Sequence, residues 1–167
     1  MTNRPTRTAL GRMFWHRVAA TALTAILMSA PTLAAETFAL GDIEIVAPFS
    51  RATLPNSSTG GVYFSLANSG TTDDVLLSAS TPLAQVVQLH DMKIEDNVMR
   101  MSELPDGITV PAGSTIVLKP SGMHLMLVRL DGQLVEGETL PLTLSFKNAG
   151  DITVDVPIGS IAQREAP

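Results

Sequence analysis

After residue 35 the chain is cut into short pieces. Gly, Pro, Asn, Asp and Ser recur at brief intervals, and the segments between them are rich in Val, Ile, Leu and Thr. Pieces this short cannot sustain isolated helices, but they suit half-buried strands. Ile43–Val46, Val62–Leu66, Val75–Leu77, Val86–His90, Thr115–Leu118, His124–Leu130, Leu140–Phe146 and Ile152–Val156 all read as strands. Only Thr81–Leu89 competes as a helix, and Pro82 with the paired Val86 and Val87 argues against it. Many strands separated by turns predict an all-β antiparallel sandwich or barrel. No repeat or long linker divides residues 36–160, so one domain is expected there. Residues 102–122 are expected to form two loops around Thr115–Leu118, and 161–167 to fray.

The first 35 residues have a different design. Arg4, Arg7, Arg12 and Arg17 give a basic start without an acidic residue, and Val18–Met28 is apolar apart from Thr. Ser29 to Ala35 then supplies small residues. This is the layout of a secretory signal, with cleavage after Ala34 or Ala35. The apolar run is too short to span a hydrocarbon core, which takes ~20 residues. No stable membrane insertion is expected after cleavage.

Removing that segment makes the remainder strongly acidic. Its seven Lys/Arg against sixteen Asp/Glu give a formal charge of −9. Such a balance disfavours nucleic-acid phosphate as a partner and favours solubility. The chain has no cysteine. That excludes a blue-copper thiolate, a CxxC redox pair, an iron–sulfur cluster and a cysteine nucleophile.

The remaining soft donors are tightly gathered. Beyond residue 35, both histidines and all five methionines fall between His90 and Met126. They form the groups His90-Asp91-Met92, Met99-Arg100-Met101 and Met123-His124-Leu125-Met126. A hairpin that pairs Lys93 with Val98 would set Met92 against Met99, Asp91 against Arg100 and His90 against Met101. Alternation then puts His90, Met92, Met99 and Met101 on one face and an Asp91–Arg100 charge pair on the other. His124 and Met126, two apart in a strand, share a face as well. Gly122 just before them would let the backbone turn or approach closely.

A single methionine at strand spacing is more often core than ligand, and Met92, Met99 and Met123 are read as core. The joint pattern nevertheless selects His90, Met101, His124 and Met126 as a metal site. Two neutral thioethers and two neutral imidazoles suit the soft monovalent ion Cu(I), whereas Zn²⁺ prefers thiolate, imidazole and carboxylate. Thioethers also escape disulfide formation in an oxidising compartment.

At this point the chain resembles the periplasmic copper chaperones of the PCuAC type. That family's site is a His, ten residues, a Met, about twenty-one residues, then His-x-Met. His90 and Met101 reproduce the first spacing, and His124-Leu125-Met126 the last motif; the stretch between Met101 and His124 is one residue longer. Ser50-Arg51-Ala52-Thr53, Gly61 to Asn68, Pro111-Ala112-Gly113 and Leu118-Lys119-Pro120 are also similar to the family. The resemblance implies a cupredoxin-like sandwich without the blue-copper cysteine, and delivery of Cu(I) to cytochrome c oxidase assembly through copper donor and acceptor proteins. The chain lacks the His- and Met-rich tail of some members, so no second copper site is expected there.

Copper sequestration is the alternative that the ligands alone do not separate from delivery. A hydrolase is disfavoured: no GxSxG occurs, and His90 beside Asp91 would point to the opposite face. A metal-free interaction module would account for the strands but not for the clustering.

Overall fold

The computed structural model describes residues 36–166 apart from Asn97. The expected signal segment, residues 1–35, lies outside the described residues, as does Pro167. The eleven strands are β1 (Thr37–Leu40), β2 (Ile43–Arg51), β3 (Thr59–Asn68), β4 (Asp74–Ser80), β5 (Ala84–Glu95), β6 (Val98–Glu103), β7 (Ile108–Val110), β8 (Thr115–Leu118), β9 (His124–Leu130), β10 (Thr139–Phe146) and β11 (Gly150–Gly159). The all-β expectation holds. Each of the eight segments read as strands falls inside one of them, and the helical competitor runs into β5.

Hydrogen bonding orders the strands β6-β5-β9-β3-β2-β11-β10-β4-β7, with β1 on β2 and β8 on β3. Every pairing is antiparallel except β11 with β2, which run parallel through Ile158–Ser50 and Gly159–Arg51. The arrangement is therefore mixed rather than purely antiparallel. Strands β1 and β7 were not anticipated, and β7 sits inside the stretch read as loop.

Period-two patterning builds the core. Leu140, Leu142, Leu144 and Phe146 of β10 alternate inward with Val154, Val156 and Ile158 of β11. They meet Ile43 and Ile45 of β2, Val62, Phe64 and Leu66 of β3, and Leu125 and Leu127 of β9. The opposite faces of β5, β6 and β9 carry the soft donors, so one strand's alternation serves packing and chemistry together. Leu125 is wholly buried and lies across from both Val62 and Leu89. Leu125→Ala is expected to cost roughly 2–5 kcal/mol through lost burial and a residual cavity. A denaturant melt of the protein checks this; a loss under ~1 kcal/mol would mean Leu125 is not core.

A bulge in β2 matters for the site. Register with β3 breaks between Val46 and Phe49, where Ala47 takes a positive φ of 53°. One extra residue on β2 inverts its parity. Ile43 and Ile45 point inward before it; Ser50 points inward after it and donates to the Gly61 carbonyl at 3.0 Å. Phe49 and Arg51 are thereby delivered to the outer face, beside Tyr63.

Candidate metal centre

Adjacent strands place the two histidines side by side. β5 and β9 pair His90 directly with His124, and their rings meet edge to face with centroids 5.7 Å apart. Both are buried, at 9% and 7% exposure. The His124 Nδ1 lies 2.9 Å from the Gly122 carbonyl oxygen. A carbonyl can only accept, so Nδ1 carries the proton and Nε2 keeps a free lone pair. A second ring partner of this kind orients metal-binding imidazoles. The turn before β9 carries its positive φ at Ser121 (66°), not at Gly122, whose lack of a Cβ instead allows a close approach to Lys119 and whose carbonyl serves His124.

His90 is the less satisfied of the pair. Its Nδ1 is buried and has no hydrogen-bond partner. Buried polar atoms are nearly always paired, so an orphaned ring nitrogen on a histidine packed against a second imidazole needs an explanation, and a metal ion supplies one. Burial holds the His90 imidazole below its ordinary value of 6.5, the nearby His124 pushes the same way, and Glu103 opposes both. This shift favours the neutral imidazole, the form that ligates.

The thioethers lie on the same face. Met126 opposes Gln88 on one side and Gly61 on the other. Met101 opposes Met92, not His90. The connection is two residues shorter than expected, and β5 runs two residues further. Glu95 pairs with Val98, and only Asp96 and Asn97 connect them. Asp96 takes φ 53°, a conformation that short Asp/Asn turns tolerate and that matches strand twist. His90 therefore opposes Glu103, whose Oε2 accepts from Gln88 Nε2 at 3.1 Å. A slip of two residues preserves every side chain's face, so His90, Met92, Met99 and Met101 still point together. The expected Asp91–Arg100 pair is not formed. Lys93 holds Asp91 at 3.0 Å and Arg100 meets Glu95 at 3.4 Å, all on the opposite face.

Two clefts share this surface. Met101, His124 and Met126 line one of about 390 Å³ together with Tyr63 and Gly61. Met92, Met101 and His124 line a larger one of about 670 Å³, closed on another side by Arg164, Glu165 and Ala166. The tail thus lies against the site. Tyr63 and Arg51 had no role assigned from sequence. The Tyr63 ring centroid is 6.3 Å from that of His124, and Arg51 donates to its hydroxyl at 2.8 Å. A Cβ added at Gly61 would collide with the Tyr63 hydroxyl, so glycine there leaves room for the ring to lie along β3. Their local signal was slight, because the β2 bulge decides where Phe49 and Arg51 point. Among the described residues, no group of three or more His, Cys, Asp or Glu could hold a metal. The two histidines would therefore need other donors, and the thioethers on this face are at hand.

Comparison with known proteins bears on the family and the fold. The LpqE-like family model matches residues 43–158. The chain belongs to the LpqE-like family. A relative named "Putative lipoprotein Lxx21020", from Leifsonia xyli subsp. xyli (strain CTCB07), is 30% identical over 152 residues, covering 81% of this chain and 91% of that protein. Among solved structures, the copper-bound PCuAC domain from PmoF2 is similar at TM-score 0.65 and 26% identity, over 75% of this chain and 98% of that one. The apo PmoF2 PCuAC domain is similar at TM-score 0.67 and 27% identity, over 78% of this chain and 100% of that one. The Cu(I) form of DR1885 from Deinococcus radiodurans gives 0.55 and 26%, over 69% and 78%. This LpqE-like chain therefore has the PCuAC-type, cupredoxin-like β-sandwich that its residues led us to expect.

Proposed function

We propose that this protein is an exported, non-enzymatic copper carrier that binds one Cu(I) through His90, Met101, His124 and Met126. The observation that carries the reading is the His90–His124 pair, with one orphaned ring nitrogen, on the face that also bears the thioethers. The Cu(I)- and copper-bound states of the similar PCuAC structures support the choice of metal. Met101, at 47% exposure, leaves the site open on one side, which favours handing the ion onward over sequestering it. Delivery to cytochrome c oxidase assembly, in the periplasm, is the destination that the PCuAC resemblance supports. The lipoprotein name of the relative supports export. A lipid attached through cysteine has no attachment point in these 167 residues.

Anaerobic titration with Cu(I) against a competing chelator tests the reading. One ion per chain is expected, with Zn²⁺ far weaker, because a thioether is a poor zinc ligand. Equal affinities for the two metals would refute it. Met126→Leu or Met101→Leu should weaken Cu(I) binding while stability changes by less than ~1.5 kcal/mol, since Leu keeps the volume and removes only sulfur. If either variant keeps full affinity but unfolds, that methionine is packing rather than a ligand.

A further inference from the structure

The hairpin tip presents an unusual surface. Ile94 is 69% exposed, Met99 62%, Val98 54% and Met101 47%, so the tip is an exposed apolar surface in which two of four side chains are thioethers. The expectation that Met99 is core fails: β6 is the edge strand, and all six of its residues are exposed. Met123, by contrast, packs against the core. Packing therefore accounts for Met123 but not for Met99.

Register puts three of these thioethers within mutual reach. Met92 and Met101 are directly opposed across β5 and β6. Directly opposed residues have Cβ atoms ~4.5–5.5 Å apart. Met99 is two residues from Met101 on the same strand and shares its face, diagonal to Met92. Each methionine side chain has three rotatable bonds, so three sulfurs can converge on one ion. No thiol, carboxylate or imidazole is needed for a soft monovalent guest.

We propose that Met92, Met99 and Met101 form a second, weaker Cu(I) position, an all-thioether port through which the ion reaches the His90–His124 site. The proposal rests on the copper-carrier reading above and adds the route of entry. Met101 lines both clefts, with Met92 and His124 in the larger and with His124 and Met126 in the smaller. An ion held by the port is already bound to one ligand of the tight site. Transfer then exchanges Met92 and Met99 for imidazole nitrogen and Met126 sulfur, with the copper staying Cu(I) throughout. The shared ligand makes the two positions mutually exclusive, so the stoichiometry stays at one.

The test is the rate of Cu(I) loading into the full chain from a chelator complex, for wild type and for Met92→Leu/Met99→Leu. Leucine keeps the apolar surface, so a stripe that merely docks a protein would be unaffected. Loading of the double variant should slow about tenfold, the lower end of what outer partners contribute at metal sites, while equilibrium affinity stays within about twofold. An unchanged rate overturns the port. A lost affinity also overturns it, because Met92 or Met99 would then be a ligand of the tight site. A second measurement follows ¹³C-labelled methionine methyl signals in His124→Asn as Cu(I) is added. Signals of Met92, Met99 and Met101 should shift while Met123 stays put; unmoved Met92 and Met99 signals would reject the port. The carrier reading is scored separately, by wild-type affinity. Failure to bind Cu(I) tightly would sink that reading, and the methyl shifts would still decide the port.

Discussion

His124→Ala should lower Cu(I) affinity by at least about a hundredfold. Outer partners of metal ligands already contribute ~10–100-fold, and His124 is placed as a ligand in its own right. Its ring is fixed by the Gly122 carbonyl, lines both clefts and lies against His90. Loss of the ring also opens space, so folding must be read alongside by circular dichroism and a melt. A folded His124→Ala protein with wild-type affinity would remove His124 from the site and leave the four-ligand centre without its anchor.

Acid should release the ion steeply. A ligating imidazole must be neutral, and each one that has to shed a proton contributes up to about one decade of affinity per pH unit once it is protonated in the free protein. Thioethers carry no proton and contribute nothing. For His90 the sign is clear: burial favours its neutral form, so protons compete less readily than at an ordinary histidine. Apparent affinity between pH 8 and pH 4 should therefore be level at first and then fall, with a shallower slope in His90→Ala. The copper-free protein should follow the same direction. A histidine whose folded value is lowered gives its full contribution above about 6.5, and that contribution is lost as pH falls below it. Thermal melts at pH 7 and pH 5 should show the decline, and it should shrink in His90→Asn. An affinity flat over the whole range would mean that neither histidine holds copper.

Much of this could be read from local sequence, because alternation is a local property. Leu140, Leu142, Leu144 and Phe146 announce their inward face without any knowledge of partners. So do His124 and Met126 on the other face. The hairpin register could not be read so directly. A four-residue and a two-residue connection differ by a shift of two, which leaves every face intact while changing every neighbour. Hence the four selected residues do share a face, yet Met101 pairs with Met92 rather than with His90. The direct His90–His124 pairing is non-local, since no spacing rule says that β5 lies beside β9. β1 and β7 are short, of four and three residues, too brief for alternation to stand out. Arg51 and Tyr63 meet only because one extra residue at the β2 bulge turns the strand over.

The position of β6 at the sheet margin sets how tightly the centre can grip. Three of its four donors stand on β5 and β9, whose reverse sides are sealed by Leu89, Leu125 and Leu127. The fourth, Met101, stands on a strand with a single neighbour and no buried residue. Segments of that kind open locally at a small fraction of the free energy of global unfolding. In the proposed centre, peeling β6 back would remove Met101 and leave three candidate donors without exposing the interior. Lability toward a receiving protein and durability of the fold are thus assigned to different strands.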